Sequence, residues 1–268
     1  MTRPDSAGRS FPYEIDGAPF EGWIVVPPAT GPAVRRPCVV LTHAWDGLND
    51  PMRQKAAAVA ALGYVAVCLD LYGRGVRGDP VGDNTRLMAP LLDDRGLLRR
   101  RLLAGIEAVR GHPAVDPERL AVVGWCFGGL CALDAARAAA PGLRGAVSIH
   151  GVLTPPALGP QGRIDASILL LHGWEDPVAP PQDVLTITRE LTDAHADWQL
   201  QAFGHAMHAY TFPAADRPEA GLQYCPLAAA RTEGALRRFL AEVLEDQPPG
   251  GVASEPSPSS STERAASV

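Results

Sequence analysis

Apolar residues recur in short runs, broken only by Ser148, at residues 38–41, 64–69, 120–124, 146–149 and 168–171. Runs of this length predict strands covered on both faces, as in a parallel sheet. Between them lie segments with helical spacing at 51–62, 85–110, 127–139 and 180–195, followed by a last strand at 199–203 and a closing helix at 227–244. The start of the chain has a different rhythm. Residues 13–17 and 20–26 alternate around Asp16-Gly17, a dipeptide suited to the left-handed backbone of a tight turn, which predicts an antiparallel hairpin. Together these elements predict an α/β fold: a mostly parallel central sheet, helices on both faces, and an N-terminal antiparallel hairpin.

One domain is expected over residues 11–245, with no internal repeat and no compositional boundary inside it. Residues 1–10 read as a flexible N-terminus. Residues 246–268, which include Pro248-Pro249-Gly250-Gly251 and Ser257-Pro258-Ser259-Ser260-Ser261, carry too little apolar surface to fold and read as a disordered tail. Residues 73–84 are rich in glycine and charge and follow a strand's carboxyl end, where ligand-binding loops of such sheets lie.

Composition narrows the partners. The chain has 268 residues, 46% of them hydrophobic, and a formal net charge of −6, which fits a globular protein without a basic footprint for nucleic acid or anionic membrane. Its first residues lack an apolar signal-type run and no window reaches membrane-spanning length, so the cytoplasm is the expected location. The five cysteines, Cys38, Cys68, Cys126, Cys131 and Cys225, have no metal-type spacing, so neither disulfides nor a metal is expected. Cys38 and Cys68 fall in predicted strands and read as small core residues. Cys131 stands five residues beyond Cys126, which suits neither a redox pair nor a shared helix face.

Cys126 is different. The segment Leu120-Ala121-Val122-Val123-Gly124-Trp125-Cys126-Phe127-Gly128-Gly129-Leu130 runs from a strand through a glycine-flanked cysteine into an alanine-rich helix. That is the pattern of a nucleophile elbow, whose sharp turn admits only very small neighbours. At the start of a helix, the dipole and unpaired N–H groups favour a thiolate, the reactive form. Such a nucleophile needs a base and an acid to orient that base, in the chain order nucleophile, acid, histidine. The acid candidates stand in Leu171-His172-Gly173-Trp174-Glu175-Asp176-Pro177-Val178, where Asp176 precedes a proline in a turn and Glu175 is the adjacent competitor. The base candidates are His205 and His208 in Phe203-Gly204-His205-Ala206-Met207-His208-Ala209-Tyr210, after the last strand.

With those residues in view, the chain resembles the dienelactone hydrolase family of the α/β-hydrolase fold from about residue 13 to 244. The resemblance is carried by Gly124-Trp125-Cys126-Phe127-Gly128-Gly129, Asp70-Leu71-Tyr72-Gly73-Arg74, Gly173-Trp174-Glu175-Asp176-Pro177 and Met207-His208-Ala209-Tyr210-Thr211. The family's histidine is typically followed by a small residue and an aromatic, which selects His208. The resemblance therefore implies a triad of Cys126, Asp176 and His208, acting on a small ester, lactone or thioester through an acyl-cysteine without metal or organic cofactor. The oxyanion would face the backbone N–H groups of Phe127 and Trp45. Arg74 aligns with an arginine that some members use to hold a substrate carboxylate, and Trp45 and Tyr72 would line the pocket. A second arginine after the histidine is missing, since Thr211 follows Tyr210.

The chain departs from the family at one position. The family commonly carries a glutamate after the first long central strand that helps control the protonation of the cysteine. Here the run is Thr42-His43-Ala44-Trp45-Asp46-Gly47-Leu48-Asn49, with Ala44 in its place. Three readings follow: His208 alone deprotonates Cys126, Asp46 supplies the carboxylate from two residues on, or hydrolytic power is lost. A ligand-binding relative of weak activity and an acyltransferase using the same triad are the alternatives to a hydrolase. Oligomeric state and physiological substrate are not fixed by the residues.

Overall fold

The computed structural model describes residues 8–28, 34–79 and 82–245. The tail expected at 246–268 and the first seven residues of the chain lie outside the described residues. Arg9 and Ser10, read from the sequence as part of the N-terminal segment, are the first residues of a strand.

An eight-stranded sheet forms the centre. Strands β1 (Arg9–Ile15) and β2 (Ala18–Val25) make the predicted hairpin. Asp16 and Gly17 turn it with φ of 52° and 78°, the left-handed pair that an Asp-Gly dipeptide adopts at little cost. There follow β3 (Arg36–Thr42), β4 (Val65–Cys68), β5 (Val115–Trp125), β6 (Leu143–Ile149), β7 (Ser167–Gly173) and β8 (Trp198–Phe203). The strand order is β1-β2-β4-β3-β5-β6-β7-β8, with β2 antiparallel to β4 and every pair from β4 to β8 parallel.

Helices cover both faces. On one side, α1 (Asp50–Ala60) and α6 (Pro226–Leu244) pack on the apolar cluster containing Val39, Ala121, Val147 and Leu169. On the other, α3 (Arg95–Arg110), α4 (Phe127–Arg137) and α5 (Pro181–Asp193) pack on Val40, Val122, Ala146 and Ile168. Alternate residues of the same strands thus serve opposite cores, which is why these strands read as nearly continuous apolar runs. The helix predicted over 85–110 is two helices, α2 (Thr85–Asp93) and α3, because the Asp94 side chain accepts a hydrogen bond from the Leu97 N–H and starts a new N-terminus there.

The chain runs from β3 to β4 on one side of β3, then crosses to β5 on the other. The loops leaving β3 and β5 therefore diverge at the carboxyl edge of the sheet, where such folds place their ligand sites. Cys126 follows β5 directly.

Candidate active site

Cys126 joins β5 to α4 with φ 55° and ψ −117°, a backbone setting that costs a non-glycine residue about 1–3 kcal/mol. Close packing enforces it. A Cβ on Gly124 would run into the Gly128 carbonyl, and one on Gly128 into the Thr42 carbonyl. The Thr42 hydroxyl donates to the Gly128 carbonyl at 2.8 Å, and the Cys126 N–H donates to the Ile149 carbonyl at 3.1 Å, so the elbow is tied to both neighbouring strands. The Phe127 N–H lies in the first turn of α4, where a helix offers it no internal acceptor.

The histidine candidates separate cleanly. His205 is almost fully exposed and pairs with Glu175 at 2.9 Å, so the two competitors for acid and base meet each other at the surface. His208 is buried, with Nδ1 2.7 Å from Oδ2 of buried Asp176 and Nε2 3.1 Å from Sγ of Cys126. Asp176 is itself held by the Val178 N–H, which donates to its Oδ1 at 2.8 Å. Burial opposes a charge on His208. The Cys126 sulfur and the Asp176 carboxylate outweigh that penalty and raise its pKa to about 10. The His208 backbone donates to the Gly221 carbonyl and its carbonyl accepts from Gln223, so its loop is braced by a small hairpin of β9 (Asp216–Arg217) and β10 (Leu222–Gln223). That brace was not read from the sequence.

The segment after β3 is fixed by His43. Its Nδ1 lies 2.7 Å from the Ala44 carbonyl, and its Nε2 accepts from the Leu71 N–H at 3.2 Å, partners that assign the proton to Nδ1. Burial lowers its pKa to about 4, so the ring is neutral. Tyr72 donates its hydroxyl to the Trp45 carbonyl at 2.9 Å and stacks on Phe127 at a ring separation of 6.1 Å. One aromatic side chain thus fastens the Trp45 turn to the residue after Cys126.

Ala44 is buried, and its neighbour Asp46 is bonded elsewhere: Asn49 donates to its Oδ2 at 2.5 Å. Burial raises the pKa of Asp46. Arg74 lies 3.8 Å from Glu21, with both side chains substantially exposed. Arg77, three residues on, stands 3.5 Å from the buried carboxylate of Asp70 and packs beside Gly47 and Tyr72. Asp70 also accepts from the N–H groups of Glu21, Tyr72 and Gly73, which makes it the organiser of this loop.

Two further histidines lie near His208. His150 is fully buried, with its ring 5.3 Å from that of His208 and its Nε2 2.8 Å from the Thr211 hydroxyl. His172 is buried at the end of β7. Burial lowers the pKa of each, that of His150 strongly. Sequence reading missed His43, His150 and His172, although each stands at the carboxyl end of a parallel strand, the edge where such sheets build their sites. Among the described residues, no cluster of histidine, cysteine and carboxylate side chains has metal-binding geometry, and no helix is long and apolar enough to cross a membrane.

A strand-turn-helix elbow at the switch point of a mostly parallel sheet, with acid and histidine on later loops, defines an α/β-hydrolase. Within that class the chain belongs to the dienelactone hydrolase family, whose model matches residues 20–244. It is 36% identical over 154 residues, 57% of this chain and 98% of the other, to an uncharacterized protein, K02A2.1, of Caenorhabditis elegans. It is 28% identical over 209 residues to a probable 2-oxo-3-(5-oxofuran-2-ylidene)propanoate lactonase of Bradyrhizobium sp., covering 73% of this chain and 82% of that one. Among solved structures it is similar to P91, a dienelactone hydrolase-like promiscuous phosphotriesterase from metagenomic libraries, with a TM-score of 0.82 and 32% identity over 88% of this chain and 98% of that one.

Proposed function

We propose that this hydrolase cleaves small esters or lactones through a covalent acyl-cysteine on Cys126. The observation that carries this reading is the hydrogen-bonded line from Asp176 through His208 to Cys126, 2.7 and 3.1 Å long. The His208 Nε2 within hydrogen-bond reach of that sulfur suits a base that takes the thiol proton. The lactonase name of the Bradyrhizobium relative favours the same substrate class.

In the proposed reaction the Cys126 thiolate attacks the carbonyl carbon, a C–S bond forms, and the carbonyl electron pair moves to oxygen. The N–H groups of Phe127 and Trp45 stabilise that oxyanion. As the C–O bond to the leaving group breaks, His208 gives it the Nε2 proton. His208 then takes a proton from water, which attacks the thioester and releases the thiolate. Asp176 keeps the imidazole oriented and favours its cationic form.

The scheme also accommodates Ala44. With no carboxylate at that position and Asp46 engaged by Asn49, His208 is the group that charges the sulfur. Arg74, at the exposed rim, is proposed to attract a substrate carboxylate, a role for which a planar guanidinium is suited. Tyr72 and Trp45 are the proposed pocket walls.

Hydrolysis of a dienelactone and of p-nitrophenyl acetate, with wild-type protein beside Cys126→Ala, tests the proposal. Wild-type turnover that falls at least about 10³-fold in the variant is the expected result. Turnover surviving the substitution contradicts it, and an ester product formed with added alcohol would identify an acyltransferase instead. The relation to P91 adds an aryl phosphotriester to the substrates worth assaying.

A further inference from the structure

Lys55 is the sole lysine of the chain, whose other basic residues are arginines. It is half-buried on α1, with its ammonium 4.4 Å from the centre of the Trp125 ring and 5.4 Å from that of Phe212. Trp125 immediately precedes Cys126. Phe212 belongs to the loop that carries His208, and its ring lies 5.5 Å from that of His150, which in turn sits 5.3 Å from His208. One cation therefore rests on the ring of the residue preceding Cys126 and on a ring that meets His208 through His150. We infer that Lys55 is a positioning residue for Cys126 and His208, and that loss of its proton lowers turnover. This inference rests on the acyl-cysteine reading above.

The charge is what holds the arrangement. A cation is drawn to the faces of both rings, and a neutral amine is not. Glu233 from α6 favours the cation, while Cys68 from β4, whose thiol pKa is raised by burial to about 12, and His150 after β6 are neutral. Burial dominates and lowers the pKa of Lys55 to about 8. As pH rises through that value, Lys55 loses its charge. An arginine in its place would keep the charge throughout, which sets Lys55 apart in a chain otherwise built with arginine.

The test measures kcat for p-nitrophenyl acetate between pH 6.5 and 9.5 in wild type, Lys55→Met, Lys55→Arg and Cys126→Ala, beside NMR titration of the protein carrying ¹⁵N,¹³C-lysine. With a single lysine, the side-chain signal is unambiguous. Expected is a wild-type kcat that falls roughly ten-fold along a limb whose midpoint matches the Lys55 titration. Lys55→Met should show the low, flat level at every pH, and the charge-retaining Lys55→Arg should lack the limb. A Lys55 signal titrating a full unit away from the limb, or an unchanged limb in either lysine variant, overturns the inference alone. Turnover in Cys126→Ala overturns the reading beneath it.

Discussion

At the scale of single residues, the site depends on places where a side chain is absent as much as on those where one is present. Gly128 packs so closely on β3 that a methyl group there meets the Thr42 carbonyl, whereas Gly162 has open space around it. Gly128→Ala is therefore expected to lose about 3 kcal/mol of unfolding free energy, and Gly162→Ala no more than about 0.5 kcal/mol, both read from urea unfolding. Similar losses at the two positions would mean that the elbow is looser than its contacts indicate. The glycines around Cys126 made the elbow legible in the sequence, because their spacing reports a local steric demand. The choice of Asp176 over Glu175 and of His208 over His205 was not legible in that way. Each pair differs in burial, which is decided by packing against β8 and the loop beyond it, so only the family resemblance separated them.

At the scale of elements, the strands with apolar runs were readable from the chain, and the elements without one were not. β5 begins at Val115, five residues before its apolar run, because Arg36 pairs with Val115 across a register shift that no local pattern announces. β9 and β10 are two residues each and exist through their contacts with the His208 segment. The break between α2 and α3 had a signal, Asp94 ahead of Leu97, hidden within a continuous helical period. Replacing Asp94 with alanine removes that cap and is expected to cost about 1 kcal/mol, with Asp94→Asn close to wild type in the same urea titration. A loss as large in the asparagine variant would assign the effect to charge and not to capping.

Across the whole molecule, the helices and loops around the sheet are held by ties between distant segments. Arg95 on α3, Asp134 and Arg137 on α4 and Glu190 on α5 form a buried ionic network, and both arginines reach the Thr154 carbonyl after β6. Breaking one partner of such a network leaves a charge uncompensated, so it fixes the relative placement of three helices on one face. On the other face Tyr64 donates to Glu245 and Tyr210 hydrogen-bonds Thr232, which joins the His208 loop to α6. The strand order then brings the loops after β3, β5, β7 and β8 to the same edge of the sheet, where Asp176 and His208 line up on Cys126. In the proposed reaction Cys126 carries the acyl group. The most direct measurement is mass spectrometry of protein quenched in acid during reaction with p-nitrophenyl pivalate, whose bulky acyl group slows attack by water. One pivaloyl group on the peptide containing Cys126, absent from Cys126→Ala, is the expected result; ester cleavage with no adduct there, or with the adduct on another residue, would contradict it.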